Sequence, residues 1–140
     1  MGSIPKIYKY PNIVLIARVL RLQRKISGRN GQNVFAMLEE TPVAKRRGMK
    51  KETIDRYVYA ALRLGGAFGM LNTCLSRSVT RCILHRENGL PSQVAFGLRK
   101  DATGAGGVLQ GHCWLVGEEP KMEEGGSEPF DSIAVYPKDR

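Results

Sequence analysis

The hydrophobic period changes once along the chain, at Gly89-Leu90-Pro91. Before it, apolar residues recur at helical spacing; after it, they alternate. Pro91 bars further helix, because it lacks an N–H and clashes with the preceding turn. Val94, Phe96 and Leu98 then alternate as in a strand. Val108 to Val116 predicts a second strand, hairpinned to the first across the glycine-rich Asp101 to Gly107. Ser132 to Tyr136 predicts a third, with Ile133 and Val135 on one face. The order is helices first and an antiparallel sheet afterwards, an α+β fold. With 140 residues the chain is one domain: a helical half over 1–70, then a cysteine-bearing helix and the sheet over 71–140.

Four helices are expected. Pro5 and Pro11 make an extended lead-in, and Asn12 caps a helix to about Ser27 with Ile13, Ile16, Ala17, Leu20 and Ile26 inward. A short helix over Gln32 to Glu39 turns Val34, Phe35 and Leu38 inward and ends at Thr41-Pro42. A third, Lys51 to Ala67, carries the stripe Ile54, Val58, Ala61, Leu62 and Leu64. The fourth starts at Asn72 or Thr73 and closes at Glu87-Asn88-Gly89, with Gly89 suited to a left-handed cap. Leu71, Leu75, Ser78, Val79, Cys82 and Ile83 share one face; Arg77, Arg81 and Arg86 are expected outside.

Charge narrows the partners. Net charge is +9, but residues 1–100 hold 19 Lys or Arg against 5 Asp or Glu, a net +14, and residues 101–140 carry −5. The basic cluster Lys45, Arg46, Arg47, Lys50 and Lys51 is a solvated loop able to seat an acidic partner. An acidic last quarter argues against nucleic acid as that partner. No apolar run is long enough for a membrane span. Three cysteines without a secretion signal point to reduced thiols and a cytoplasmic setting.

The chemistry gathers around Cys74, in the first turn of the fourth helix. Unpaired N–H groups there favour thiolate over thiol. Its natural partner is His112, 38 residues downstream on the middle one of the three expected strands. A third group must fix the imidazole tautomer; Glu118, Glu119, Glu123, Glu124 or Asp131 can supply it, Asp131 from a neighbouring strand. The plain alternative is that Cys74 is a small buried hydrophobe. Trp114 falls on the same strand face as His112 and either shields the imidazole or packs in the core. Asn72 is an oxyanion donor or an N-cap, and the Cys74 backbone N–H is the other donor available. Cys113 should face away from His112 and pack. Cys82-x-x-His85 has zinc-like spacing but no matching pair, so no metal is expected; His85 then sits at a helix C-terminus favoured by the dipole.

Four segments carry a resemblance: Thr73-Cys74-Leu75-Ser76-Arg77-Ser78, Gly89-Leu90-Pro91, Phe96-Gly97-Leu98-Arg99-Lys100 and Gly111-His112-Cys113-Trp114. Residues 71–124 resemble the lasso peptide biosynthesis B2 proteins, small cysteine proteases of the transglutaminase-like, papain-related superfamily. The resemblance implies a nucleophile at Cys74, a base at His112 and a third residue at Glu124, with Glu123 as the alternate. The chain departs from the family in Glu123-Glu124, where Asn-Asp or Asn-Glu is common, and in Gly-His-Cys-Trp, where Ala-His-Ala-Trp is common. The implied substrate is the leader segment of a ribosomal precursor peptide, cut before a separate ATP-using lasso cyclase closes the core. No cofactor is implied. The helical half leads straight into the cysteine helix, so leader recognition is expected from a separate (B1-type) protein docking on the basic cluster. Two other functions fit the residues: acyl transfer by the same constellation, and a non-catalytic basic binding module.

Overall fold

A computed structural model describes residues 11–27, 31–67, 73–100, 109–118 and 131–138. The expected lead-in, the Asp101–Gly107 turn, Leu71, Asn72, Glu123 and Glu124 lie outside the described residues. The elements run α1 (Pro11–Ser27), α2 (Gly31–Glu39), α3 (Lys51–Ala67), α4 (Cys74–Glu87), β1 (Val94–Lys100), β2 (Leu109–Leu115) and β3 (Asp131–Tyr136). Helices come first and a small antiparallel sheet follows, so the fold is α+β.

The axis of the fold is α4. From Ser78 to His85 every residue is buried, and Ser76 with them. A helix buried on all sides must satisfy its polar residues inside. Thr73 forms a capping box with Ser76: Thr73 Oγ1 accepts from the Ser76 N–H at 3.1 Å, and Ser76 Oγ accepts from the Thr73 N–H at 3.0 Å. Thr73, then, is the N-cap. At the other end Gly89 has φ +83°, and a Cβ there would lie 2.8 Å from the Arg46 carbonyl oxygen. Only glycine fits that left-handed cap without displacing backbone.

Core packing corrects two expectations. In α1 the buried stripe is Leu15, Val19, Leu22 and Ile26; Ile13 is 66% exposed, and Ala17 is also exposed. Both stripes have helical spacing. Gln23 is buried beside the inward stripe, its Nε2 donating to Thr80 Oγ1 of α4 at 2.9 Å while its Oε1 has no hydrogen-bond partner among the described residues. In α3, Ile54, Val58, Ala61 and Leu62 are buried as expected, but Leu64 is exposed. Phe35 of α2 closes the sheet end, stacking on Tyr136 at 4.7 Å and meeting Phe96 edge-on at 5.0 Å.

Arg81 also overturns its expected outward position. It lies buried, with Nε and Nη2 donating to the Asp55 carboxylate at 2.9 Å each, while Nη1 donates to Glu118 Oε2 at 3.0 Å. His85 is buried as well, Nε2 2.7 Å from Asp55 Oδ1 and Nδ1 3.3 Å from Ser92 Oγ. It is a structural link between α3 and α4, not a dipole-stabilised end residue. Asp55 thus gathers α3 and α4, and Glu118 ties the exit of β2 to them. Burial alone would raise the Asp55 carboxyl's pKa, but hydrogen bonds from His85 and Arg81 hold it well below the carboxylate range.

Sheet order is β2-β1-β3, antiparallel throughout. His112 is therefore central in sequence but on an outer strand. Gly97 of β1 stands opposite it, so no side chain crowds the imidazole from across the ladder. Asp131 is not on a strand neighbouring His112: β1 lies between, and Asp131 pairs with Leu98 in the row of Gly111.

Removing one partner of a buried ion pair strands the other. Asp55→Ala should lower urea-measured stability by about 3 kcal/mol. Arg18→Ala, which breaks only an exposed pair with Glu87, should cost less than about 1 kcal/mol. A carboxyl with a depressed folded pKa stabilises above its ordinary value of 3.8 and loses that stabilisation as pH falls. Stability should therefore drop on acidification below pH 4, and Asp55→Asn should flatten that drop.

Candidate active site

The site forms where the start of α4 meets β2. Cys74 is the first helical residue. The cap occupies the Ser76 N–H, whereas the N–H groups of Cys74 and Leu75 have no acceptor within the helix. Cys74 is half-buried and not in a disulfide. His112 hydrogen-bonds and interacts electrostatically with its sulfur. The expected Cys74–His112 pair is thus brought together. Trp114 lies beside it on the same strand face, its ring stacked with the imidazole at 6.0 Å and 24°.

Cys113 is buried, as expected of a packing residue. It does more than pack. Its thiol and its backbone N–H both hydrogen-bond to Cys74. The Cys113 carbonyl is held in turn by the Ser78 hydroxyl, which donates at 3.2 Å. Thus α4 supplies both the sulfur and the group that fixes the strand over it.

These contacts set the acidity of the thiol. Hydrogen bonding from the Cys113 thiol outweighs burial, and the Cys113 N–H and His112 add to it, pulling the Cys74 thiol down to about 5. The Cys113 thiol moves the opposite way, raised by its hydrogen bond to Cys74 and by burial. The proton therefore stays on Cys113 and leaves Cys74, the more exposed of the two. Burial pushes the remaining thiol, Cys82, up to about 11. Cys82 donates to the Ser92 carbonyl at 3.4 Å. With His85 held by Asp55 and Ser92, both residues of the zinc-like spacing are engaged elsewhere. Among the described residues no three His, Cys, Asp or Glu side chains are grouped as metal ligands.

Two cavities open on the sulfur. One, of about 420 Å³, is apolar and lined by Phe35, Leu75, Phe96, Leu98 and Ala134 beside Cys74 and His112. The other, of about 270 Å³, is polar and bounded by Tyr59, Arg77, Arg81, Trp114 and Glu118. A chain segment crossing Cys74 would present a group to each.

The expected carboxylates are placed unevenly. Glu123 and Glu124 lie outside the described residues, as does Asn72, and Asp131 is two strands from His112. Glu118 lines the polar cavity but is bound by Arg81, which lowers its pKa. The basic loop sits at the far end of α4. Ala44 N–H donates to the Arg86 carbonyl at 2.8 Å, and Gly48 N–H to the Asn88 carbonyl at 3.0 Å. Lys45, Arg46, Arg47 and Lys50 are exposed on it, and Lys51, the first residue of α3, is exposed as well and pairs with Glu118 at 3.5 Å.

Cys74 on the first turn of a buried helix and His112 on an antiparallel sheet line the same two cavities. The chain belongs to the transglutaminase-like superfamily, whose profile matches residues 16–135. That superfamily includes cysteine peptidases and acyltransferases. Neither the curated proteins nor the solved structures offer a significant match. Among the described residues no helix is long and apolar enough to cross a membrane.

Alkylation of Cys74 by iodoacetamide should rise with pH through about 5 and stay level to neutrality, where an ordinary thiol titrates near 9. Replacing the hydrogen-bond donor, as in Cys113→Ala, should move that midpoint upward. A wild-type midpoint near 9 would contradict the contacts described.

Proposed function

We propose that the protein is a cysteine peptidase of lasso peptide maturation, cutting the leader–core bond of a ribosomal precursor peptide. The observation that carries this reading is the contact between the Cys74 sulfur and His112 at the mouth of two cavities. Superfamily membership and the Cys-Leu-x-Arg-Ser, Gly-Leu-Pro and His-x-Trp elements support it.

Cys74 attacks the scissile carbonyl, and His112 takes the proton of its thiol. The oxyanion is held by the Cys74 N–H, which the helix leaves without an acceptor. His112 protonates the departing amine, which becomes the N-terminus of the core. The leader remains as a thioester on Cys74, and water activated by His112 releases it. Glu124 is assigned to hold the imidazole tautomer, with Glu123 and Asp131 as alternates; the position of Asp131, opposite Leu98, favours the glutamates. Trp114 covers the imidazole face and limits water there. The chemistry needs no cofactor.

The basic loop is the proposed docking surface for a separate leader-recognition protein. It is pinned by backbone hydrogen bonds at one end of α4 with its charges outward, while the sulfur occupies the other end. A 14-residue helix sets those ends about 20 Å apart, within reach of one extended leader. The cyclase acts next on the released core amine. Free cysteines fit a cytoplasmic location.

Incubation of the precursor with the protein and its recognition partner, read by mass, tests the proposal. Wild type should release leader and core as acid and amine. Cys74→Ala should abolish cleavage while keeping the folded spectrum, and His112→Ala should lower it by at least about 100-fold. Cleavage retained in Cys74→Ala would overturn the assignment. Transfer of the leader acyl group to an amine would make the enzyme an acyltransferase.

A further inference from the structure

Charge is distributed unequally between the two cavities at Cys74. The larger is walled by aromatic and aliphatic side chains. The smaller holds three charged residues, Arg77, Arg81 and Glu118. Arg81 is saturated by Asp55 and Glu118, and Glu118 is shared between Arg81 and Lys51. Those four side chains cancel one another. Arg77 is the remainder: among the described residues it has no carboxylate partner.

Its position is set by helix geometry. Cys74, Arg77, Ser78 and Arg81 follow the i, i+3, i+4, i+7 stripe of α4 that faces β2. Arg77 therefore stands one turn from the nucleophile, about 4.5 Å along the axis. Its charge is felt in the site, where it partly offsets the upward shift of the Cys113 thiol. Arg77 is half-buried, so its side chain is partly desolvated. A carboxylate answers that deficit with two parallel charge-assisted hydrogen bonds; an amide or hydroxyl does not.

We propose that the polar cavity is an anion-selecting subsite in which Arg77 receives the side-chain carboxylate of an Asp or Glu next to the bond that Cys74 attacks. The apolar cavity then takes an aliphatic or aromatic residue on the other side of that bond. This deepens the peptidase reading and rests on it for the identity of the substrate as a peptide, but the charge selection itself is measurable without turnover.

Two arms separate the claims. In the first, Cys74 is alkylated with iodoacetate or iodoacetamide, which react alike by displacement of iodide and differ in charge. The modified residue is read by peptide mass, apart from Cys82 and Cys113. The iodoacetate-to-iodoacetamide rate ratio should fall roughly tenfold in Arg77→Gln, the size of one nearby, partly screened charge. It should be largely kept in Arg77→Lys and unchanged in Arg24→Gln, an exposed cation on α1. On the wild-type protein, which bypasses any folding defect, N-acetylglutamate should slow alkylation and N-acetylglutamine should not. In the second arm, precursor variants carrying Glu or Gln next to the cut are compared, with free and amidated C-termini. Glu should raise kcat/KM in wild type and not in Arg77→Gln. A preference that follows the C-terminal carboxylate instead would overturn the side-chain assignment. A rate ratio indifferent to Arg77→Gln, or equal protection by both N-acetyl amino acids, would remove the subsite and leave the peptidase standing. A charge preference with no cleavage of any precursor would remove the peptidase and leave the subsite standing.

Discussion

Arg81 holds the molecule's geometry together. It projects from the middle of α4 into a nearly dry space and takes one carboxylate from α3 and another from the turn after β2. Such a cation is tolerable only when its partners are fixed in place, because each removed partner leaves a desolvated charge. Its position therefore constrains three elements at once. His85, one turn further along α4, adds a second bond to the same Asp55 and links it to Ser92. Arg81 is two turns from Cys74, and Glu118 follows His112 closely in sequence. The clamp that locks α3, α4 and β2 therefore also sets how the strand bearing the histidine crosses the helix bearing the sulfur.

Within that frame the Cys74 thiol is tuned by its surroundings. A helix N-terminus, a thiol donor, a backbone N–H and an imidazole all favour the thiolate, and only partial burial opposes it. The thiol donor is Cys113. A strongly stabilised thiolate is abundant at neutral pH but intrinsically less nucleophilic. Two cavities flank Cys74, one apolar and one lined by Arg77, Arg81 and Glu118.

Much of this was legible in the sequence, and the parts that were not share a cause. Lys51 and Ala67 bound α3 as the periodicity predicts, and the alternation after Pro91 locates the β1–β2 hairpin to within a residue at either end of β2. Cys74 at a helix start and His112 on a strand follow from the same patterns. The errors are polar residues that turn inward. Gln23 turns inward with the stripe of α1, Arg81 is expected outside because a lone cation is usually solvated, and His85 is expected at a dipole-favoured helix end. Their partners, Thr80 and Asp55, lie on other elements, so no local pattern announces them. Strand alternation assigned Cys113 to the core but gave no sign that an outer strand crosses the helix start at that residue. Sheet order was equally hidden: β3 follows β2 in sequence yet pairs with β1, which places Asp131 away from His112.

The central claim is that sulfur and imidazole are in contact and share a proton. The pH dependence of Cys74 alkylation in His112→Ala, compared with wild type, measures that contact directly. Loss of the imidazole removes an attraction and a hydrogen bond that both favour the thiolate, so the midpoint should move up from about 5. A midpoint unmoved by His112→Ala would mean that the two groups do not meet, and the mechanism built on them would fail.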